Sequence, residues 1–174
     1  MKTQRGFSLI ELLIVIVIIG IVAAIAIPNL LAARRAANDG SAISTLRTLY
    51  SADVSYASTV GDGDYAGTAG TVGTSPLNDL AAANLIDKAL GTGGKGGYSF
   101  VGDHTTPSAT QLATFYFSAN PSTPSGILLT GSRRYGVATD GVIRSDETAA
   151  NLGIPFDAAS LGALRSRRAR PSDR

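Results

Sequence analysis

Cysteine is absent from this 174-residue sequence, histidine occurs once, and aromatic residues make up only 6%. Without cysteine there is no disulfide to clamp a loop, no thiolate to hold a metal and no cysteine nucleophile. So few aromatics argue against a conducting stack, and Tyr50 and Tyr56 read as packing residues. The one histidine, His104, lies among Thr, Pro and Ser with no nucleophile elbow or acidic partner recognisable around it. It is expected as a solvated loop residue. Asp62-Gly63-Asp64 fails the EF-hand template, because Ala66 stands at the fifth loop position and Gly73 where the bidentate Glu belongs, so a turn is predicted there. Gly91-Thr92-Gly93-Gly94-Lys95-Gly96-Gly97 is not a phosphate cradle either. Ala89 occupies the place of the first glycine, Gly96 follows Lys95 where Ser or Thr is needed, and a helix rather than a strand is predicted ahead of it. That stretch reads as a flexible helix-to-strand connector. No catalytic, cofactor-binding or metal-ligating residue is expected.

What the sequence has in abundance is one apolar run. From Leu9 to Ile27 the only charged residue is Glu11, the rest being Ile, Val, Leu, Ala and Gly20. At about 1.5 Å rise per residue, a helix over this run spans a bilayer hydrocarbon core of roughly 30 Å. Lys2 and Arg5 precede it, which by the positive-inside bias places the N-terminus in the cytoplasm and the bulk of the chain outside. Glu11 is the oddity. A carboxylate in an apolar span costs about 2.5–3.5 kcal/mol on insertion scales and needs a partner. No Lys or Arg shares its helical face. A cut between Gly6 and Phe7 would make the Phe7 amine a cation, with an ordinary pKa of about 7.7–8. A neighbouring copy shifted along the helix axis could bring that amine to Glu11. The pair would stabilise association where lipid supplies little hydrophobic drive between helices. An ordinary signal peptide is the competing reading, since Ala24-Ile25-Ala26 has small-x-small character. Against it, the apolar region exceeds the usual 7–15 residues or so and carries a carboxylate.

Gly6-Phe7-Ser8-Leu9-Ile10-Glu11-Leu12, with its basic leader and apolar continuation, resembles the class III signal of type IV pilins and of the pseudopilins of type II secretion. The resemblance implies that a prepilin peptidase cuts after Gly6, that the Phe7 amine is methylated, and that Glu11 serves subunit assembly. Many type IVa pilins close a C-terminal loop with a disulfide, and this cysteine-free chain departs from that pattern. Gly20 lowers helix propensity by about 1 kcal/mol relative to Ala, and Pro28 removes a backbone hydrogen bond and should kink the helix. Gly20 and Ala24 form a small-xxx-small pair that permits close helix approach. In the family the segment between such a Gly and Pro loosens within the filament, which the resemblance suggests for Gly20 to Pro28.

Beyond Pro28 the helix is predicted to run to about Ser58, with Ile43, Leu46, Tyr50, Val54 and Ala57 as its apolar stripe. Arg34, Arg35, Asp39, Arg47 and Asp53 are assigned to its polar faces, and Asn38-Asp39-Gly40 to a weak point where it frays or bends. Thr59 to Thr74 reads as an exposed loop. Ser75, as N-cap, and Pro76 open a helix with Leu77, Leu80, Ala81 and Leu85 on one face, ended by Gly91. An antiparallel sheet follows. Tyr98-Ser99-Phe100-Val101 is one strand. Leu112 to Ala119 alternates, with Ala113, Phe115, Phe117 and Ala119 opposed to Thr114, Tyr116 and Ser118. Arg133–Thr139 and Val142–Arg144 flank the hairpin signal Asp140-Gly141. The order of these motifs is similar to the head domain of pilin-like proteins, a resemblance that thins after Ala150. Arg165, Arg167, Arg168, Arg170 and Arg174 crowd the end, whereas acidic side chains outnumber basic ones between Phe7 and Leu164. Such a tail is expected to be solvated, with DNA, an anionic polysaccharide or an acidic neighbouring subunit as the anionic partners it could attract.

The reading is an α+β, type IV pilin-like fold with a long N-terminal transmembrane helix packed on a small antiparallel head. It divides into a leader (1–6), an assembly helix (7–28), an amphipathic helix (29–58), a head (59–155) and a basic tail (156–174). The implied function is a non-enzymatic filament subunit processed by prepilin peptidase and assembled as a homo-oligomer on an inner-membrane platform. It would pass from the inner membrane, in contact with lipid, to a periplasmic or cell-surface filament. A type II secretion pseudopilin and a monomeric membrane-anchored binding protein are the alternatives. Adhesion, motility, DNA uptake and secretion are equally compatible with the motif. Cleavage between Gly6 and Phe7 is expected to yield a mature chain that starts at a methylated Phe7. Intact-mass analysis with N-terminal sequencing of membrane material tests this, and a mature start at Met1 or Ile27 would refute it.

Overall fold

The computed structural model describes residues 7–168, with the backbone alone for 164–168. The chain divides into two compact units, Met1–Arg34 and Arg35–Arg174. Helix α1, Leu9–Thr59, runs unbroken through Gly20 and Pro28 and supplies the first element of the second unit. In that unit α1 is followed by α2 (Ser75–Ala82), α3 (Lys88–Gly91), strands β1 (Gly94–Lys95), β2 (Tyr98–Thr105), β3 (Thr114–Pro121), β4 (Arg134–Ala138) and β5 (Arg144–Asp146), and helix α4 (Ala158–Arg168). The strands form one antiparallel meander in the order β1-β2-β3-β4-β5.

The face of α1 that enters the core is Ala42, Thr45, Leu46, Leu49, Ala52 and Asp53, at helical spacing. This corrects the predicted stripe. Leu46 belongs to it, but Ile43 and Tyr50 are half-buried and Val54 is exposed. Small and polar residues make up most of the seat, and a hydrophobic pattern does not score them. Asp53, expected on a polar face, is fully buried. The predicted weak point at Asn38-Asp39-Gly40 is regular helix. Its polar side chains are engaged: Asn38 Nδ2 donates to the Thr130 carbonyl at 2.7 Å, and Asp39 Oδ1 accepts from the Tyr98 hydroxyl at 2.5 Å. Asp39 also accepts from the Ser132 N–H and hydroxyl, while Arg35 donates to the carbonyls of Leu129 and Ile127. One turn of helix thus satisfies the backbone of the 127–132 loop.

Between Ser75 and Gly91 two short helices replace the single one predicted. Asn84 adopts a left-handed conformation, φ 58°, which interrupts the helix, and the Asp87 carboxylate restarts it by accepting from Leu90 N–H at 2.6 Å. Thr74, not Ser75, stands at the N-cap of α2, without a side-chain capping bond. The glycine run beyond Gly91 is more than a connector. Gly94 and Lys95 pair with Ser99 and Tyr98 across a two-residue turn in which Gly96 and Gly97 both have positive φ, 57° and 75°. That is the geometry of a type I′ hairpin, which glycine adopts without strain. Asp140-Gly141 turns as predicted, with the Gly141 N–H on the Ala138 carbonyl at 2.8 Å. Strand pairing resumes only at Gly136↔Arg144, so the partner strand runs from 144 to 146 rather than 142 to 144.

Both faces of β3 are covered. Phe115, Phe117 and Ala119 join the main core with Leu46, Leu49, Leu77, Leu80 and Phe100. The opposite face, which the alternation predicts as the polar one, holds Tyr116 against Phe156 and Leu161. Ser118 hydroxyl accepts from Phe156 N–H at 2.9 Å, and Asn120 Nδ2 donates to the Leu152 and Ile154 carbonyls. Phe156 and Leu161, assigned in sequence to the basic tail from residue 156, are seated on the sheet. A Cβ at Gly136 would meet Leu161 Cδ2 at 2.6 Å and Phe156 Cδ2 at 2.9 Å, so glycine is what lets α4 approach β4. Leu161→Ala is expected to destabilise the second unit by about 2–3 kcal/mol, read by urea denaturation. A change below about 0.5 kcal/mol, the range of ordinary surface substitutions, would mean that α4 is not seated on the sheet.

Candidate functional site

Phe7 precedes α1 and is 81% exposed. Glu11 lies in the first helical turn, where the helix dipole favours a carboxylate. From Phe7 to Leu30 every large apolar side chain is exposed, on all sides of the helix. A helix apolar all round is stable only where lipid or other helices cover it. Leu9–Thr59 is the helix, among the described residues, long and apolar enough to cross a membrane. A Cβ at Gly20 would meet nothing within 4 Å, so its surface is free for close approach by another helix. Pro28 sits inside α1. Gly6 lies outside the described residues, so of the expected cleavage pair only Phe7 is described. Of the predicted anion-binding arginines, Arg165, Arg167 and Arg168 fall on α4 with side chains that are not described, and Arg170 lies outside the described residues.

The second unit has its own buried polar groups. His104 corrects the sequence reading: it lies in β2, is buried, and places Nε2 at 3.5 Å from the Asp64 carboxylate. The Tyr98, Phe100, Gly102, His104 alternation puts it on the core face, and the sequence-predicted strand stopped three residues short. Asp53 Oδ1 accepts from Ala66 N–H at 3.0 Å, while Oδ2 and His104 Nδ1 are buried without partners. Burial pushes the Asp53 carboxyl up to about 7, with the charge of Asp64 adding to it and the Ala66 N–H opposing. On the far side of the sheet Arg134 donates to Asp146 at 2.8 and 3.0 Å and lies 4.0 Å over the Phe156 ring. Burial would raise the Asp146 carboxyl, but hydrogen bonds from Thr148, Asn151 and Arg134 hold it well below the usual carboxylate range. Tyr98 is pushed up by burial and by Asp39. These groups fasten loops to the core. Among the described residues no group of three or more His, Cys, Asp or Glu is arranged to hold a metal ion.

Residues 1–27 match the prokaryotic N-terminal methylation motif. The chain is similar to the type IV wide pilus major component of Thermus thermophilus, 69% identical over 39 residues, or 22% of this chain and 30% of that protein. It is similar to the type IV major pilin protein of Myxococcus xanthus, 49% identical over 53 residues, or 30% of this chain and 24% of that protein. It also matches the type II secretion system core protein G of Pectobacterium carotovorum, 43% identical over 49 residues, or 28% of this chain and 31% of that protein. The chain spans less than a third of the length of each of these relatives. No solved structure matches it. The relatives are pilus and secretion components by name, not enzymes, and the pilin and pseudopilin resemblance of the N-terminal motif holds. The α+β architecture agrees with it, with one long apolar helix and a small antiparallel sheet.

The raised Asp53 carboxyl makes a signed prediction. The native state holds this proton more tightly than the unfolded chain, so its contribution to stability is full below about pH 4 and is lost as pH rises to about 7. Asp53→Asn keeps the acceptor for Ala66 N–H and removes the charge. It is expected to flatten this slope and to stabilise the protein at pH 8 by about 1–2 kcal/mol relative to wild type. Parallel wild-type and variant curves of stability between pH 4 and 8 would contradict it.

Proposed function

We propose that this chain is a structural subunit of a type IV pilus-like filament. Prepilin peptidase cuts it between Gly6 and Phe7, the Phe7 amine is methylated, and an inner-membrane platform assembles the mature chain through α1. The observation that carries the reading is the helix from Leu9 to Leu30, apolar and exposed on every side, with a lone carboxylate at Glu11. The methylation motif over residues 1–27 supports it. Before assembly the bilayer covers this surface, with the remainder of the chain outside the inner membrane. In the filament the helices of other copies cover it. Glu11 pairs with the Phe7 amine of a neighbouring copy, which removes the cost of a lone charge in an apolar layer. Gly20 and Pro28 mark the segment that loosens as the helix leaves lipid for the filament.

The matches to core protein G support a second reading of the same chemistry, a pseudopilin of type II secretion whose filament is short and periplasmic. Overexpressed subunit forming long surface fibres favours the pilus, and export failing on deletion favours the pseudopilin.

Glu11→Ala separates assembly from folding. The variant loses a charge from an apolar span, so insertion is expected to be unimpaired or easier. Incorporation into filaments, measured by shearing and quantitative blotting, should fall at least about tenfold, the effect of some 1.4 kcal/mol. Assembly at the wild-type level would refute the Glu11–Phe7 pair.

A further inference from the structure

We propose that the 121–132 loop docks its exposed pair Ile127 and Leu128 on the lipid surface of the membrane that α1 spans, at the level of the outer headgroups. The inference rests on the reading of α1 as a membrane span. Ile127 and Leu128 are 80% and 74% exposed, and the stretch from Pro121 to Ser132 that carries them has no charged residue. Apolar side chains scattered singly over a surface need no explanation. An adjacent pair held out on an uncharged loop does.

The backbone of the loop keeps the pair outward. Arg35 Nη2 and Nε donate to the Ile127 and Leu129 carbonyls at 3.1 and 3.2 Å, and Asn38 Nδ2 donates to the Thr130 carbonyl at 2.7 Å. Within the loop Leu129 N–H reaches the Gly126 carbonyl at 3.3 Å, and Thr130 N–H reaches the Thr123 carbonyl at 3.1 Å. Carbonyls bonded in this way no longer depend on water. A loop without charge and with these groups satisfied gives up little hydration on meeting an apolar phase. Irregular backbone does not enter the hydrocarbon itself, so the contact is confined to the boundary between headgroups and acyl chains.

The level of the loop along α1 selects lipid as the partner. Between Glu11 and Arg34 the sequence has no charged residue, so Arg34 and Arg35 are the first charges beyond the span. Arginine at the end of a span keeps its charge among the headgroups, and the hydrocarbon boundary therefore falls just before this pair. Arg35 is also the residue that holds Ile127 and Leu129. Arg34, exposed and next in the chain, adds attraction for anionic headgroups. Leu112, 86% exposed, provides the contrast. It precedes Thr114, which pairs with Thr105 at the far end of β2. Tyr98 at the near end bonds Asp39, whereas His104 faces Asp64 in the loop that Asp53 holds through Ala66. From Asp39 to Asp53 the helix rises by about 21 Å. Leu112 thus stands farther from the headgroup layer than Ile127 and Leu128 do.

The sequence has no cysteine, so single Cys variants of the full chain carry an environment-sensitive fluorophore at one chosen place. Ser125→Cys reports on the loop, Thr110→Cys on the region of Leu112, and Ile16→Cys on the span. The protein is reconstituted in vesicles of phosphatidylcholine and phosphatidylglycerol with a spin-label quencher either at the headgroup or deep in the acyl chain. Headgroup spin labels are expected to quench the Ser125 label about threefold more than the Thr110 label. Ile127→Ser together with Leu128→Ser should bring the Ser125 label down to the Thr110 level, and both side chains are exposed enough that the fold does not depend on them. Molar salt should leave the wild-type contact in place, because apolar surface rather than charge carries it. Equal quenching at Ser125 and Thr110, quenching unchanged by the two serines, or quenching lost in salt would each overturn the proposal. A blue-shifted but unquenched Ser125 label would assign the pair to a second copy and overturn it as well. The Ile16 label tests the span separately. Deep quenching there with none at Ser125 removes the loop contact alone, whereas no deep quenching at Ile16 removes the span and the loop contact with it.

Discussion

The second unit depends on how closely residues 42–53 of α1 approach the sheet. Ala42, Leu46, Leu49 and Ala52 share one buried cluster with Phe100, Phe115 and Phe117, and the two leucines are completely covered. Burying each leucine contributes about 1.5–3 kcal/mol. The alanines permit the contact, since larger side chains there would hold the helix away. Polar anchors bracket this seat. Arg35, Asn38 and Asp39 take up the 127–132 backbone at one end, and Asp53 takes up Ala66 at the other. Loops that carry little apolar surface of their own are thereby ordered by groups on a rigid helix.

The same helix meets a different demand before Leu30. There no side is covered by another of the described residues, and the apolar surface is continuous around the axis. Such a segment is stable only where lipid or other apolar helices cover it. Glu11 is the one charged position there, and apolar covering is not enough for it, because a carboxylate needs a charge or donors opposite it. The filament reading follows from this mismatch between what the segment exposes and what it can tolerate.

The two sheet faces are closed by different means. The α1 face is an apolar core with aromatic contacts, Tyr65 to Phe115 at 4.5 Å and Phe115 to Phe117 at 5.8 Å. The α4 face is a smaller cluster around Phe156 and Leu161, ringed by Arg134, Asp146, Ser118 and Asn120. Because α4 begins at Ala158 and covers only part of that face, Asp103 and Tyr116 are left at its margin, where a cleft opens.

The features legible in the sequence were those that depend on neighbours along the chain. The apolar run and Glu11 stand out because a bilayer imposes length and polarity on a continuous segment. The β3 alternation and the Asp140-Gly141 turn follow from local backbone preference, and so they appear in the structure near the predicted positions. What tertiary structure decided were the properties that depend on distant neighbours. Asp53 and His104 look like surface residues in sequence and are buried, because strand register and helix rotation, not polarity, place them. Leu85 belonged to no continuous helix, since a single left-handed residue, Asn84, broke it and Asp87 began another. Tyr116 was assigned to the polar face, and its partners Phe156 and Leu161 arrive from about 40 residues further on, beyond the reach of any local pattern. Local rules specify which elements form. Only the packed chain fixes which of their faces water never reaches.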